Sequence, residues 1–255
     1  MITDTKLFLN KMVEKYNSPD FIPNDPISIP HHYTRKEDIE ISGFLTAILS
    51  WGQRKVIIFK SLELMKRMDN DPYEFITNAN EHDLKQLKGF TYRTFNETDL
   101  LTIVNSLKMI YLHQGGLENI FTLGFRENGA YGGISKLNTT IFNYPHLPRT
   151  RKHIANPKTG SAAKRLNMFL RWMVRNDDKG VDFGLWNQIK PLDLICPLDI
   201  HSGNTARKLG LLNRNSNDWK SALELTQNLR QFDQQDPAKY DFALFGAGVN
   251  GYFND

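Results

Sequence analysis

The sequence predicts an all-α protein, and three observations predict it. Apolar residues recur three and four positions apart over long stretches, the spacing that lines one face of a helix. Polar cap residues stand just before several of those stretches, as in Asp71-Pro72 and Asp236-Pro237. No stretch keeps a two-residue alternation of β-branched residues, so strands should be few.

The elements follow in order. Thr34 and Glu37 have the spacing of a capping box, and Ile39, Ile41, Phe44, Leu45, Ile48 and Leu49 then mark a wide helical face. A second helix is expected to carry Val56, Phe59, Leu62, Met65 and Met68 as its apolar residues. Asp71-Pro72 opens another, with proline at the first helical position, where its missing N–H costs nothing. Leu100, Ile103, Val104, Leu107 and Tyr111 mark a further helix, and Ile134, Leu137 and Ile141 a shorter one. From Pro145 to Gly160 the chain reads PHLPRTRKHIANPKTG, a basic, turn-rich connector. Helices are expected again from about Ser161 to Arg175, after Asp199, after Asn217 and after Asp236-Pro237.

The chain has 255 residues, 40% of them apolar, enough for one large domain or two small lobes sharing a cleft. Wholesale disorder is excluded by that apolar content. A formal charge of +4 suits a polyanionic partner without requiring one. The single cysteine, Cys196, excludes a disulfide staple and a four-cysteine zinc or iron–sulfur site. The opening MITDTKLFLN has acids and no long apolar run, so no signal peptide is expected. No stretch reaches the roughly 20 apolar residues of a membrane span, and a cytoplasmic location is expected.

Three segments could carry chemistry. In Pro157-Lys-Thr-Gly-Ser-Ala-Ala-Lys-Arg165 a glycine turn runs into a helix start, where free N–H groups and the helix dipole suit a phosphate. In Pro197-Leu-Asp-Ile-His201 an aspartate stands where a helix begins, as an ordinary N-cap also would. Ala47-Ile-Leu-Ser-Trp-Gly-Gln-Arg-Lys55 places an aromatic and polar groups near a helix end.

Taken together, in this order, the segments resemble the helix-hairpin-helix GPD superfamily of DNA glycosylases, over about residues 35 to 245. LDIHSGNTARKLGL is similar to the segment around that superfamily's essential aspartate, which falls on Asp199. Gly160-Ser-Ala-Ala-Lys164 is similar to the hairpin of endonuclease III-like enzymes, and Lys164 falls on the catalytic lysine. ILSWGQRK is similar to a segment lining the DNA-facing cleft. Two features depart from endonuclease III: Ala162 stands where the hairpin has its second glycine, and 35 positions separate Lys164 from Asp199. An insertion over NDDKGVDFGLWNQIKP would account for the interval. Archaeal 8-oxoguanine glycosylases lengthen the same interval, and their base-contacting aspartate and aromatic resemble Asp241 and Phe245 in KYDFALFG. Four positions apart, these two share a helix face. The chain also resembles a bacterial family known only as a conserved domain of unknown function.

The resemblance implies a single glycosylase-like unit over 1–255, with two helical lobes around a central cleft. One lobe would span 34–150, and the other 1–33 plus 151–255. It implies a DNA N-glycosylase with AP lyase activity, acting as a monomer on double-stranded DNA with a damaged base, 8-oxoguanine favoured. The setting would be the bacterial cytosol or nucleoid. Lys164 would be nucleophile and Asp199 its electrostatic partner. Lys158, Gly160, Ser161, Arg165 and His201 would contact DNA, and Lys152 and Arg171 would add positive charge around the hairpin. Trp51, Asp241 and Phe245 would line the base pocket, and Gln53 would fill the gap left by a flipped base. No cofactor or metal ligand set is expected. A non-catalytic DNA-binding protein on the same scaffold is the alternative.

Overall fold

The computed structural model describes residues 2–252. In chain order its helices are α1 (Ile2–Tyr16), α2 (Lys36–Leu49), α3 (Arg54–Arg67), α4 (Pro72–Asn78), α5 (Glu81–Leu84), α6 (Glu97–His113), α7 (Gly116–Ile141), α8 (Lys164–Val174), α9 (Ile200–Lys208), α10 (Trp219–Arg230) and α11 (Tyr240–Val249). Two-residue strands β1 (Thr91–Tyr92) and β2 (Phe95–Asn96) pair antiparallel, Thr91 with Asn96 and Tyr92 with Phe95, and form the only sheet among the described residues. The protein is therefore all-helical apart from one small hairpin. None of the described helices is long and apolar enough to cross a membrane.

The chain divides into two compact units, Met1–Ile22 with Asn156–Asp255, and Pro23–Ala155. In the 23–155 unit α2 is the core helix. Ile41, Phe44, Leu45, Ala47 and Leu49 have no exposed surface, and the rest of its apolar residues are nearly as deep. The capping box expected from Thr34 and Glu37 is absent. Arg35 occupies the N-cap without accepting a capping hydrogen bond, and its Nε donates to Glu37 Oε2. Asp71 does cap α4, accepting from Glu74 N, with Pro72 as first helical residue. The 3-10 turns Pro26–Ser28 and Pro30–His32 pack on α2 and α3, which ties residues 23–33 to this unit.

Helix α3 presents a different face from the one its spacing suggested. Val56, Phe59 and Leu62 are 41, 64 and 40% exposed, while Ile57, Ser61, Leu64, Met65 and Met68 are buried. Apolar residues surround this helix on nearly every side, so periodicity alone did not fix which stripe would meet the core. The short helix expected around Ile134 is the second arm of α7, which kinks where Asn128 and Gly129 leave helical geometry.

In the other unit α11 is central, packing against both α1 and α9. Close approach requires small residues. A Cβ on Gly246 would fall 2.2 Å from the Tyr16 ring. Phe242, Leu244, Tyr240 and the alanines 243 and 247 complete its buried surface. Each large side chain removed from water is worth about 1.5–3 kcal/mol. This packing fixes the rotation of α11 and hence the direction of Asp241 and Phe245.

Candidate functional site

The site begins at the entrance to α8. Pro157–Thr159 forms one 3-10 turn capped by Asn156, whose Oδ1 accepts from Lys158 N. Gly160 follows at φ 85°, a left-handed geometry in which a Cβ would be strained. The turn is stitched to the start of α10, because Trp219 N donates to Gly160 O and Ser161 bridges Asp218. Ser161 Oγ accepts from Ala163 N at 3.1 Å. Ala163 then takes φ 48°, ψ 38°, and Lys164 is the first residue of α8. Ala162 is not left-handed, and the strained position is its neighbour Ala163.

Asp199 enters from α9. It is the N-cap, with Oδ1 accepting from Ser202 N at 2.9 Å and the Ser202 hydroxyl bonded to Asp199 N. Its other oxygen, Oδ2, lies 3.5 Å from Lys164 Nζ. Burial pushes the Asp199 carboxyl up, but the Lys164 ammonium, Ser202 and His201 outweigh it, and the net result lies below the usual carboxylate range. Both side chains keep about a quarter of their surface, 27 and 23%, so the pair is reachable from solvent.

Helix α11 completes the group. The Phe245 ring is half-buried, with Lys164 Nζ 5.7 Å from its centroid and the His201 ring edge-on at 6.3 Å. One turn earlier Asp241 is 7% exposed. Its Oδ2 accepts from Arg171 Nη1 at 2.5 Å, and no donor meets its Oδ1 among the described residues. Burial drives this carboxyl up to about 6 against the pull of Arg171 and Lys164, with Asp199 and Asp182 adding to the rise. An ammonium, a capped carboxylate, an aromatic ring and a carboxylate with an open oxygen thus share one place. Such a group can hold a flat, hydrogen-bonding ligand and offer an amine to it.

Of the sequence-chosen residues, Lys164, Asp199, His201, Asp241 and Phe245 are brought together. Lys158 and Gly160 are exposed on the adjoining turn, while Ser161 and Arg165 are half-buried there. Burial lowers the Arg165 guanidinium to about 10, which leaves it charged at neutral pH. Arg171 is a correction. It is 4% exposed and engaged by Asp182 and Asp241, so it has no surface for phosphate. Lys152 belongs to the 23–155 unit, as do Trp51 and Gln53. There Trp51 lies under the Arg93 guanidinium, 4.4 Å from the ring, and edge-on to Tyr92, whose hydroxyl donates to Trp51 O at 2.6 Å. Gln53 is the exposed N-cap of α3, and its side chain makes no cap hydrogen bond.

Sequence reasoning missed the support beneath the site. The segment NDDKGVDFGLWNQIKP, residues 176–191, packs beneath α8. Val181, Asp182, Trp186 and Ile189 are buried, and Phe183 N and Trp186 N donate to Trp172 O and Met173 O at the end of α8. Asp182 accepts from both Arg171 and Arg175, and Arg175 also reaches Asp177 and Asp236. The signal available was two arginines four apart on an amphipathic helix followed by three aspartates in 177–182. Among the described residues no group of three or more His, Cys, Asp or Glu side chains is placed to hold a metal ion.

A family model described as a protein of unknown function, DUF2400, matches residues 25–250, and the chain belongs to that family. No curated protein and no solved structure matches it.

Proposed function

We propose that this DUF2400 member is a DNA-repair glycosylase with AP lyase activity on a glycosylase-like helix-hairpin-helix scaffold. It would excise a damaged base after that base leaves the stack. The observation that carries the reading is Lys164 Nζ, 3.5 Å from Asp199 Oδ2 and beside the Phe245 ring, at a left-handed turn opening a helix. The geometry supports a stepwise role for each group. Lys164 gives up its ammonium proton, its amine attacks C1′ of the sugar, and the bond to the base breaks with the electron pair leaving on the base, which takes up a proton. Asp199, ionised and fixed by its cap, opposes the positive charge that develops on the sugar. Ring opening gives a protonated Schiff base on Lys164. Loss of a C2′ proton from it expels the 3′ phosphate.

Phe245 offers a face for stacking, and Asp241 an acceptor for a base N–H. Lys158, Arg165, His201 and the backbone at Gly160 and Ser161 are the candidate contacts to phosphate, which position the duplex without reading its sequence. Double-stranded DNA carrying 8-oxoguanine is the favoured substrate, on the resemblance to the archaeal enzymes. The test is borohydride trapping with labelled duplexes bearing 8-oxoguanine, uracil, thymine glycol or an abasic site. A covalent adduct that disappears in Lys164→Gln is expected. Binding without any adduct would overturn the lysine mechanism and leave either a monofunctional glycosylase or a non-catalytic DNA-binding protein.

A further inference from the structure

The buried ion network under the site reaches it at one point, Asp241. Arg171 leaves α8 with its Nε 3.2 Å from Asp182 Oδ1 and its Nη1 on Asp241 Oδ2. Asp182 has no exposed side-chain surface, and its second oxygen accepts from Arg175. Arg175 in turn is held by both oxygens of Asp236, 3.0 and 2.9 Å from its Nε, and by Asp177 at 2.8 Å. The Phe242 ring lies 4.1 Å from the Arg171 guanidinium carbon and fixes its plane. The Arg171 guanidinium is thus held by Asp182 at its edge and by the Phe242 ring on its face, and its Nη1 meets Asp241.

We propose that Arg171, held in place by Asp182, is a positioning residue for Asp241: it binds one carboxylate oxygen and leaves the other turned to a ligand N–H. This inference rests on the reading of the site as a base pocket. Three features support it. A carboxylate buried to this degree needs a partner to stay ionised, and Arg171 supplies it. The partner binds Oδ2 alone, so acceptor capacity remains at Oδ1. The groups acting on Asp241 are Arg171, Lys164, Asp182, Asp199 and the buried thiol of Cys196. Of these, Arg171 is the one that donates a hydrogen bond to it.

The test compares trapping on an abasic duplex, which has no base to hold, with trapping on 8-oxoguanine, which does. Wild type, Arg171→Gln, Arg171→Lys and Asp182→Asn are assayed as full-length protein, over pH 5 to 8. Arg171→Gln is expected to lower the ratio of base-dependent to abasic trapping by about tenfold or more, the loss that follows when a charged hydrogen-bond partner is removed. It should also move the acid limb of the base-dependent profile to higher pH. Arg171→Lys should restore part of both. If Arg171→Gln does not fold, Asp182→Asn, which leaves Arg171 in place but loosens it, should lower the same ratio. An unchanged ratio and profile in the folded variants would overturn the positioning role while the lysine chemistry stands. Absence of any adduct in wild type would instead overturn the lysine mechanism, and the inference, which is read through that adduct, with it.

Discussion

Two buried carboxylates, one in each unit, are spent in different ways. Asp99 has no exposed side-chain surface, and partners use both of its oxygens. Thr150 Oγ1 donates to Oδ1 at 2.7 Å, while Asn96 N and the Arg149 and His153 side chains surround Oδ2 at 3.1, 2.9 and 3.3 Å. It fastens the basic connector to the start of α6. Asp241 is buried almost as deeply, yet gives one oxygen to Arg171 and keeps the other. A buried charge whose acceptor sites are all filled is structure. One left half-filled beside a lysine, a second aspartate and an aromatic ring is available for a ligand.

The largest expected effect tests the structural half of that contrast. Asp99→Ala leaves Arg149 without its anion and Thr150 and Asn96 N without their acceptor and should cost about 3–5 kcal/mol, read from urea unfolding. Asp241→Asn should change stability by only about 1 kcal/mol, because Arg171 keeps Asp182, and yet lose base-dependent trapping. Equal stability losses would break the contrast.

A second comparison separates the two duties of Asp199. Asn caps a helix as well as Asp does, so Asp199→Asn should hold stability, while Asp199→Ala should lose about 1 kcal/mol by thermal melting. Both should abolish trapping. An active Asp199→Asn would reduce the residue to a cap.

The pH dependence of stability sharpens the same point, because the two site carboxyls shift in opposite directions. The Asp241 carboxyl is raised from 3.8 to about 6, so its contribution to folding is full below about pH 4 and is lost as pH rises toward 6. The Asp199 carboxyl is lowered, so its contribution is present above its ordinary 3.8 and is lost as pH falls. Unfolding free energies from pH 4 to 6 should therefore rise for Asp241→Asn relative to wild type as pH increases. A flat difference would contradict the raised carboxyl.

Much of this was legible in the sequence where local chemistry decides. Asp199 as a cap, Asp71-Pro72 as a helix start, and Asp241 and Phe245 on one face follow from spacing within a turn or two. The faces that depend on distant partners were not legible. Arg171 reads as a phosphate ligand beside a hairpin, since its two carboxylates stand 11 and 70 positions away. Val56, Phe59 and Leu62 read as core because three-residue spacing cannot say which side of an apolar helix meets its neighbours. Helix α1 carries acids and lysines among its apolar residues, and its packing against α11 is a contact across the whole chain.

The smallest expected effect is at Ala163. Glycine accepts φ 48° without the Cβ penalty, so Ala163→Gly should stabilise by about 0.5–1 kcal/mol once its own chain entropy is counted. A loss in melting temperature would show that this turn is not strained.

The most direct test of the central claim is to map the reduced adduct. Wild-type protein is trapped with borohydride on an abasic duplex, digested, and the modified peptide sequenced by mass spectrometry. One adduct is expected, on the Nζ of Lys164. An adduct on another lysine, or none with DNA bound, would contradict it.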